Sequence, residues 1–323
     1  MNASTFLQMS GIVVDLVYVV NKVPVAGEDK VASASLTAPG AGFNAAIAAK
    51  RAGMDVVYGG PHGTGLFADY VRAQLETAGI PFIQSQNLNA DQGSCVVMVD
   101  ELGERTFVSN SAAGSLVNAR LMHALDPADY QWTLVSGYEL SNPVSRDVFH
   151  EFMARLPASC TLVIDPAPIH SSIPQYIFDL MLETSGILSA NLAEASEITG
   201  LQDPAAAARA LLNKMGDRAK GVVIRAGADG CWIAEPDTSP IHVPGFDVEV
   251  VDTNGAGDTH IGTMIAALDR GASLQSAVAY ANAAAALSIQ HFGPSTAPLH
   301  EETLEFFNKR SELTGRSYYD KAI

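Results

Sequence analysis

Basic residues are scarce: 19 Lys and Arg stand against 35 Asp and Glu, and the formal charge of -16 repels the phosphate backbones on which non-specific nucleic-acid binding depends. Nucleic acid is thereby excluded as an expected partner. Cysteine is scarcer still. Cys95, Cys160 and Cys231 are odd in number, far apart and without a CxxC pair, so the sequence encodes neither a disulfide framework nor a zinc cluster. A reduced, cytoplasmic setting is expected. Long apolar runs are missing too. The stretch 12–20 is interrupted by Asp15 and too short for a bilayer, and no basic residue precedes it in 1–11, so neither a signal peptide nor a membrane anchor is expected. The eight histidines form no HExxH or i,i+4 pair, which leaves no transition-metal motif, and no GxxxxGK[ST] loop is present to cradle a nucleotide.

What the sequence has is apolar mass and rhythm. With 48% hydrophobic and 17% charged residues over 323 positions, it can close one large core. Short β-branched runs at 56–58, 133–136, 161–164, 187–189 and 222–225 alternate with helical patterns, the signature of βαβ units and a parallel sheet. Phe67, Val71 and Leu75 recur every four residues ahead of Gly79, and Pro204 opens an Ala/Leu helix that stops near Gly216. The Ala-rich stretches 45–49, 205–208 and 283–286 each fall inside such a pattern and predict close helix packing. Two segments break the rhythm. The run 30–37, and the segment 94–110 in which SCVVMV and RTFVSN flank the turn DELGE as a hairpin would, predict a small sheet standing off the main one as a lid. No linker divides the chain, so residues 1–323 read as one α/β domain with lid segments at about 16–38 and 94–110 and a polar tail from about Ser311.

The segment VEVVDTNGAGDTHIGTMIAAL predicts a strand at 248–251, a Gly-rich turn, and an apolar-periodic helix through Ile261, Met264, Ile265 and Leu268. Gly255 and Gly257 open backbone conformations closed to other residues, so successive N–H groups can converge where the positive end of a helix begins. Such a nest stabilises an anion. Asp258, in the same turn, is placed to take a proton from a hydroxyl as charge develops on a transferred phosphoryl group. A helix-capping Asp at an ordinary strand-to-helix turn is the plain alternative.

The heptapeptide DTNGAGD, followed by Thr, resembles the DTxGAGD signature of the ribokinase-like (PfkB) carbohydrate kinases. The resemblance implies a three-layer α/β/α sandwich with a mostly parallel central sheet and a small β-sheet lid. It also implies ATP-dependent transfer of a γ-phosphoryl group to a primary hydroxyl of a small sugar or sugar-like substrate. In that family the last Asp is the catalytic base and the Gly-Ala-Gly amides form the anion hole, roles that carry over to Asp258 and to Gly255, Ala256 and Gly257. Gly11 and Asp15 are similar to the family's first strand, whose Asp holds sugar hydroxyls, and PGAGFNAAIAAKRAG (39–53) is similar to its Gly-Gly-x-x-x-Asn-x-Ala signature, which sets Gly40 and Asn44 on the sugar. SANLAEASEITG (189–200) matches an Asn-x-x-Glu pattern that implies phosphate and Mg2+-water contacts for Asn191 and Glu194. VVIRAGADGCWI (222–233) matches the nucleotide segment, bringing in Gly227 and Gly230, with Arg225 in place of the common Thr. ANAAAALS (281–288), followed by Gly293, sets Asn282 near the adenine. Mg2+ with ATP is the implied cofactor, and the resemblance allows K+ bound through backbone carbonyls beside the turn 252–254, with Asp252 and Thr253 as its candidates. Lids in this family commonly pair between chains, so a homodimer is expected. Two departures stand out: GTGLFA (63–68) has Gly65 where the family carries a substrate-side Asp, and His260 stands where many relatives have an aromatic or Ala.

Several residues keep a second reading. GTGLFA also satisfies a GxGxxA dinucleotide pattern, but FIQSQ (82–86) carries no ribose-binding carboxylate, which argues against a nicotinamide enzyme. Glu139 in VSGYELSNP and Arg105 in GERT can face the substrate, or equally be an edge-strand charge and a lid salt bridge. Asn44 can cap its helix, and Asn254 can stabilise its own turn in place of any cation. A nucleoside kinase of the same fold is the alternative within the class. A non-catalytic sugar- or nucleotide-binding protein is the alternative outside it, and such a protein has no need of a base at Asp258.

Overall fold

Along the central strands, alternate side chains fall into two separate buried clusters: Phe6, Leu134, Val163 and Val223 in one, Leu7, Val135, Ile164 and Ile224 in the other. A strand with both faces covered dictates that period of two, and it divides the molecule into three layers. The structure is a computed structural model and describes residues 5–314 and 323. Its strands are β1 (Thr5–Gln8), β2 (Ile12–Val19), β3 (Ala34–Ala41), β4 (Asp55–Tyr58), β5 (Gln92–Val99), β6 (Arg105–Ala112), β7 (Trp132–Ser136), β8 (Thr161–Asp165), β9 (Ile187–Asn191), β10 (Gly221–Arg225), β11 (Cys231–Ala234) and β12 (Ile241–Val243). Eight of them form the central sheet in the order β12-β11-β10-β9-β8-β7-β1-β4, parallel from β10 to β4 with β11 and β12 antiparallel.

On one face lie the helices Gly42–Arg51, Leu66–Thr77, Ala256–Asp269 and Leu274–Ser288, and on the other Arg146–Ala154, Gln175–Thr184 and Pro204–Leu212. The Ala-rich stretches do pack closely. Gly262 lies against the helix Gly42–Arg51 so tightly that a Cβ there would sit 2.2 Å from the Ala45 carbonyl oxygen. Among the described residues no helix is long and apolar enough to cross a membrane.

The second sheet runs β3-β2-β5-β6 over a small core of Val17, Cys95 and Val97. Its hairpin is the one expected at 94–110, with Val97 opposite Phe107. Three expectations shift. The strand sought at 30–37 is Ala34–Ala41, paired antiparallel with β2. Asp15 therefore belongs to the small sheet, and the first strand of the central sheet is the shorter β1. A polar side chain in mid-strand suits a sheet with one open face better than a strand covered on both. The strand expected at 248–251 does not form. Val250 and Val251 are exposed, and the Val251 and Asp252 amides donate instead to the Ile289 carbonyl at the end of the helix Leu274–Ser288. The polar tail expected from Ser311 runs in the helix His300–Thr314 as far as Thr314, and 315–322 lie outside the described residues.

Candidate active site

Four adjacent parallel strands end on one edge of the central sheet. Ser136 ends β7 and leads into the short helix Gly137–Ser141, Asp165 ends β8, Asn191 ends β9 and Arg225 ends β10, with Arg225 in register with Asn191. In open α/β sheets this carboxyl edge is where ligands bind. The helix Ala256–Asp269 starts beside it.

Its turn is built on glycine and a buried carboxylate. Gly255 has φ 75°, and a Cβ there would lie 2.3 Å from the Pro294 carbonyl oxygen, so no other residue fits. Asp252 accepts from the Asn254 amide at 2.8 Å and the Gly293 amide at 3.0 Å. The first intrahelical bond runs from Thr259 N–H to the Gly255 carbonyl at 2.8 Å, so the amides of Gly257 and Asp258 stand at the positive end of the helix, ahead of the ladder. The Ala256 amide turns back on the Thr253 carbonyl at 3.3 Å.

Asp258 lies in this first turn. Asn44 Nδ2 donates to its Oδ2 at 3.1 Å, and Asn44 Oδ1 accepts from Ser295 Oγ at 3.1 Å, which fixes the amide's orientation. Burial pushes the Asp258 carboxyl up to about 7; the Asn44 bond and Arg225 pull the other way, and Asp165 and Asp15 add to the rise. A carboxylate poised there is matched to general-base work near neutral pH.

Beneath the turn, the Arg225 guanidinium donates to the Gly257 carbonyl at 3.2 Å and lies 3.4 Å from Asp165 and 3.7 Å from Glu194. Burial alone would lower the Arg225 pKa, but Asp165 and Glu194 raise it, so the charge is secure. Glu194 and Asn191 form a reciprocal helix cap, with Asn191 Oδ1 accepting from the Glu194 amide at 2.9 Å and Glu194 Oε2 from the Asn191 amide at 2.8 Å. Burial, reinforced by Asp165, raises the Glu194 carboxyl. Gly227 and Gly230 follow Arg225 in the β10–β11 hairpin; a Cβ on Gly230 would lie 2.3 Å from the Gly245 nitrogen and the Val243 oxygen. Among the described residues no group of three or more His, Cys, Asp or Glu side chains is placed to hold a metal. Arg225 pairs with both Asp165 and Glu194, and Asn191 donates to both Glu194 oxygens, so these carboxylates fit Mg2+ only through its water shell, as suits a hard cation that takes few direct protein ligands.

Across from the turn, Asp15 packs against Gly40 so closely that a Cβ on Gly40 would lie 2.3 Å from Asp15 Oδ2. Burial lifts Asp15 to about 6, opposed by Asn254 Nδ2 at 3.5 Å. Glu139 Oε1 accepts from the Gly11 amide at 2.7 Å, its Oε2 is buried without a partner among the described residues, and burial lifts it to about 7.

Some expected contacts are spent elsewhere. The Asn282 amide donates to the Val243 and Pro244 carbonyls, both at 3.2 Å, and accepts from Cys231 Sγ, so it fastens a helix to β12 and has no group left for a base. His260 lies 3.4 Å from Cys231 and is held neutral, its pKa lowered to about 3 by burial and by Arg225. Gly65 is the N-cap of the helix Leu66–Thr77. The carboxylate missing at this position comes from Asp91, which accepts from the Ala68 amide at 2.8 Å, Phe67 at 3.2 Å and Gln92 at 2.7 Å. Asp252 Oδ1 and Thr253 Oγ1 are both held by Arg105, the latter at 2.7 Å. Asp165 and Ser295 were not singled out from sequence; a carboxylate directly after the strand 161–164 was the available signal for the first, while nothing local marks the second.

Comparison with known proteins agrees with this geometry. The chain is 31% identical over 272 residues to "Uncharacterized sugar kinase YegV" of Escherichia coli, covering 84% of this chain and 83% of that one. It is 27% identical over 279 residues to a ribokinase of Haemophilus influenzae, with 83% and 86% covered. Among solved structures, ribokinase from Giardia lamblia superposes with a TM-score of 0.83 at 24% identity over 94% of this chain and 99% of that one, and a Methanocaldococcus jannaschii nucleoside kinase with 0.77 at 15% over 95% and 98%. The profile described as "pfkB family carbohydrate kinase" matches residues 5–302, and the chain belongs to that family of kinases.

Proposed function

We propose that this kinase transfers the γ-phosphoryl group of Mg-ATP to a primary hydroxyl of a small sugar or sugar-like alcohol. The observation that carries the reading is Asp258, held by Asn44 in the first turn of a helix whose leading amides lie ahead of its hydrogen-bond ladder, with its carboxyl lifted to about 7 by burial. Asp258 takes the hydroxyl proton as that oxygen attacks phosphorus; the bond to the bridging oxygen breaks and ADP leaves. The Ala256 amide is bonded to the Thr253 carbonyl and drops out of the expected anion hole; the amides of Gly257 and Asp258, ahead of the helix ladder, receive the developing negative charge. Asp15, Gly40, Asn44 and Glu139 surround the sugar, with Asn44 serving the base as well. Asn191, Arg225, Gly227 and Gly230 lie along the nucleotide. Glu194 and Asp165 are the residues that would hold, through water, a Mg2+ ion brought in with the nucleotide, and such an ion would supply positive charge to the transferred group. Arg105 already supplies a positive charge to the Asp252 and Thr253 side chains, which leaves a monovalent cation beside the turn without that charge to neutralise.

The exposed edge of β6, with Phe107 and Val108 at 55% and 60% exposure, supports pairing of the small sheet with that of a second chain. Solution mass measured across a concentration series tests the homodimer. ADP release from Mg-ATP across pentoses, hexoses, ketoses, sugar acids and nucleosides tests the activity and separates the sugar and nucleoside readings. No acceptor-dependent ADP would leave the binding-protein reading standing.

A further inference from the structure

The small sheet and the catalytic turn meet at one residue that the reaction scheme above does not use. Across β2, β3, β5 and β6 the only basic residue is Arg105, the first of β6. Its guanidinium reaches 147 and 148 positions along the chain to the turn, where Nη1 donates to Thr253 Oγ1 at 2.7 Å and Nη2 to Asp252 Oδ1. Asp252 is 4% exposed and Arg105 20%, so this is a shielded contact and not a surface ion pair. The same Asp252 carboxylate receives the amides of Asn254 and Gly293, and Asn254 in turn reaches Asp15. One carboxylate thus ties together the small sheet, the turn and the loop that carries Ser295, the residue orienting Asn44.

Building on the kinase reading, we propose that Arg105 is a positioning residue, a clasp by which the small sheet, closed over the substrate, holds the 252–258 turn in the geometry that phosphoryl transfer needs. The chemistry suits the task. A planar guanidinium presents two parallel donors and matches two neighbouring acceptors, whereas an ammonium cannot hold both in a fixed direction. The turn needs such an anchor, because 248–251 lacks strand pairing and Gly255 adds backbone freedom. Ile12 and Val14 tie β2 to the main core, while the β5 side of the sheet has only the small cluster of Val17, Cys95 and Val97 beneath it, so the β5–β6 hairpin that carries Arg105 is the part whose seating responds to what lies beneath. Amides that stabilise a transition state must be oriented before charge develops, and a clasp set by lid closure links that orientation to substrate capture.

Amide hydrogen exchange and steady-state kinetics on the full chain test this with Arg105→Ala and Arg105→Lys. In the ligand-free Ala variant, exchange at 253–258 is expected to accelerate about tenfold or more while β8 and β10 stay protected. Turnover should fall about thirtyfold or more, with a smaller change in KM for ATP, and methylguanidinium should restore a part of it. If Arg105→Ala loses protection throughout the central sheet, Arg105→Lys decides: it should fold with the wild-type melting temperature, show the faster turn and regain little kcat. Wild-type exchange at the turn and wild-type kcat in either folded variant would overturn the clasp. A wild-type protein that phosphorylates no acceptor would instead overturn the kinase reading, and the exchange comparison would still judge the contact.

Discussion

Asp258→Asn keeps the side chain's size and its place beside Asn44 but removes the proton acceptor. General-base catalysis contributes about 10²–10⁴-fold, so kcat should fall by that factor with KM for ATP nearly unchanged. The same change should stabilise the fold, with a magnitude that follows from burial. Asp258 titrates near 7 in the folded protein against an ordinary 3.8, so the folded state binds its proton more tightly than the unfolded chain does. The stability from that proton is fully present below pH ~4 and is lost as pH rises to ~7. Three units correspond to an upper bound of about 4 kcal/mol, and because the carboxylate opens on the cleft, about 1–3 kcal/mol is the realistic share. Asparagine carries no charge to desolvate. Thermal unfolding of both proteins from pH 4 to 9 should therefore show the variant melting higher at pH 8, with the gap closing toward pH 4. For the wild type, kcat should rise with pH through about 7 and level off above it. Turnover within a few-fold of wild type, or a melting gap independent of pH, would refute the assignment.

Gly40→Ala drives a methyl group to 2.3 Å from Asp15 Oδ2, so sugar KM should rise about tenfold or more while KM for ATP holds, as measured by varying each substrate in turn. Asp91→Ala removes a helix cap supplied from outside the helix and should cost about 1–2 kcal/mol in urea unfolding, with little effect on kcat. With Arg105 on Asp252 and Thr253, kcat should be equal in K+, Na+ and a bulky organic cation at matched ionic strength, and a selective rise with K+ would contradict that.

The parts of the fold legible in the sequence were those with strong local periodicity. The runs 133–136, 161–164, 187–189 and 222–225 all fall within central strands, and the DELGE turn does join a hairpin. The strand proposed at 248–251 failed because β-branched residues signal an extended backbone without supplying a partner, and here the neighbour is a helix end. The turn itself could be read, since only glycine fits beside the Pro294 carbonyl. Contacts across the chain could not. Arg105 kept two readings because the partner of a strand-terminal arginine is set by the seating of one sheet on another, and Asn282 drew a nucleotide role that its buried hydrogen bonds exclude. Gly65 shows the same limit in reverse: its missing carboxylate is restored by Asp91, a pairing visible only in three dimensions.

The most direct test of the central claim follows phosphorus itself. Wild-type protein is incubated with Mg-ATP and each acceptor of the sugar and nucleoside panel, and products are followed by 31P NMR with proton coupling. The expected result, for at least one acceptor, is ADP and a phosphomonoester coupled to two protons of a CH2 carbon in equal amounts, both formed about a hundredfold or more slowly with Asp258→Asn. ATP left intact with every acceptor, or cleaved to inorganic phosphate without a sugar ester, would contradict it.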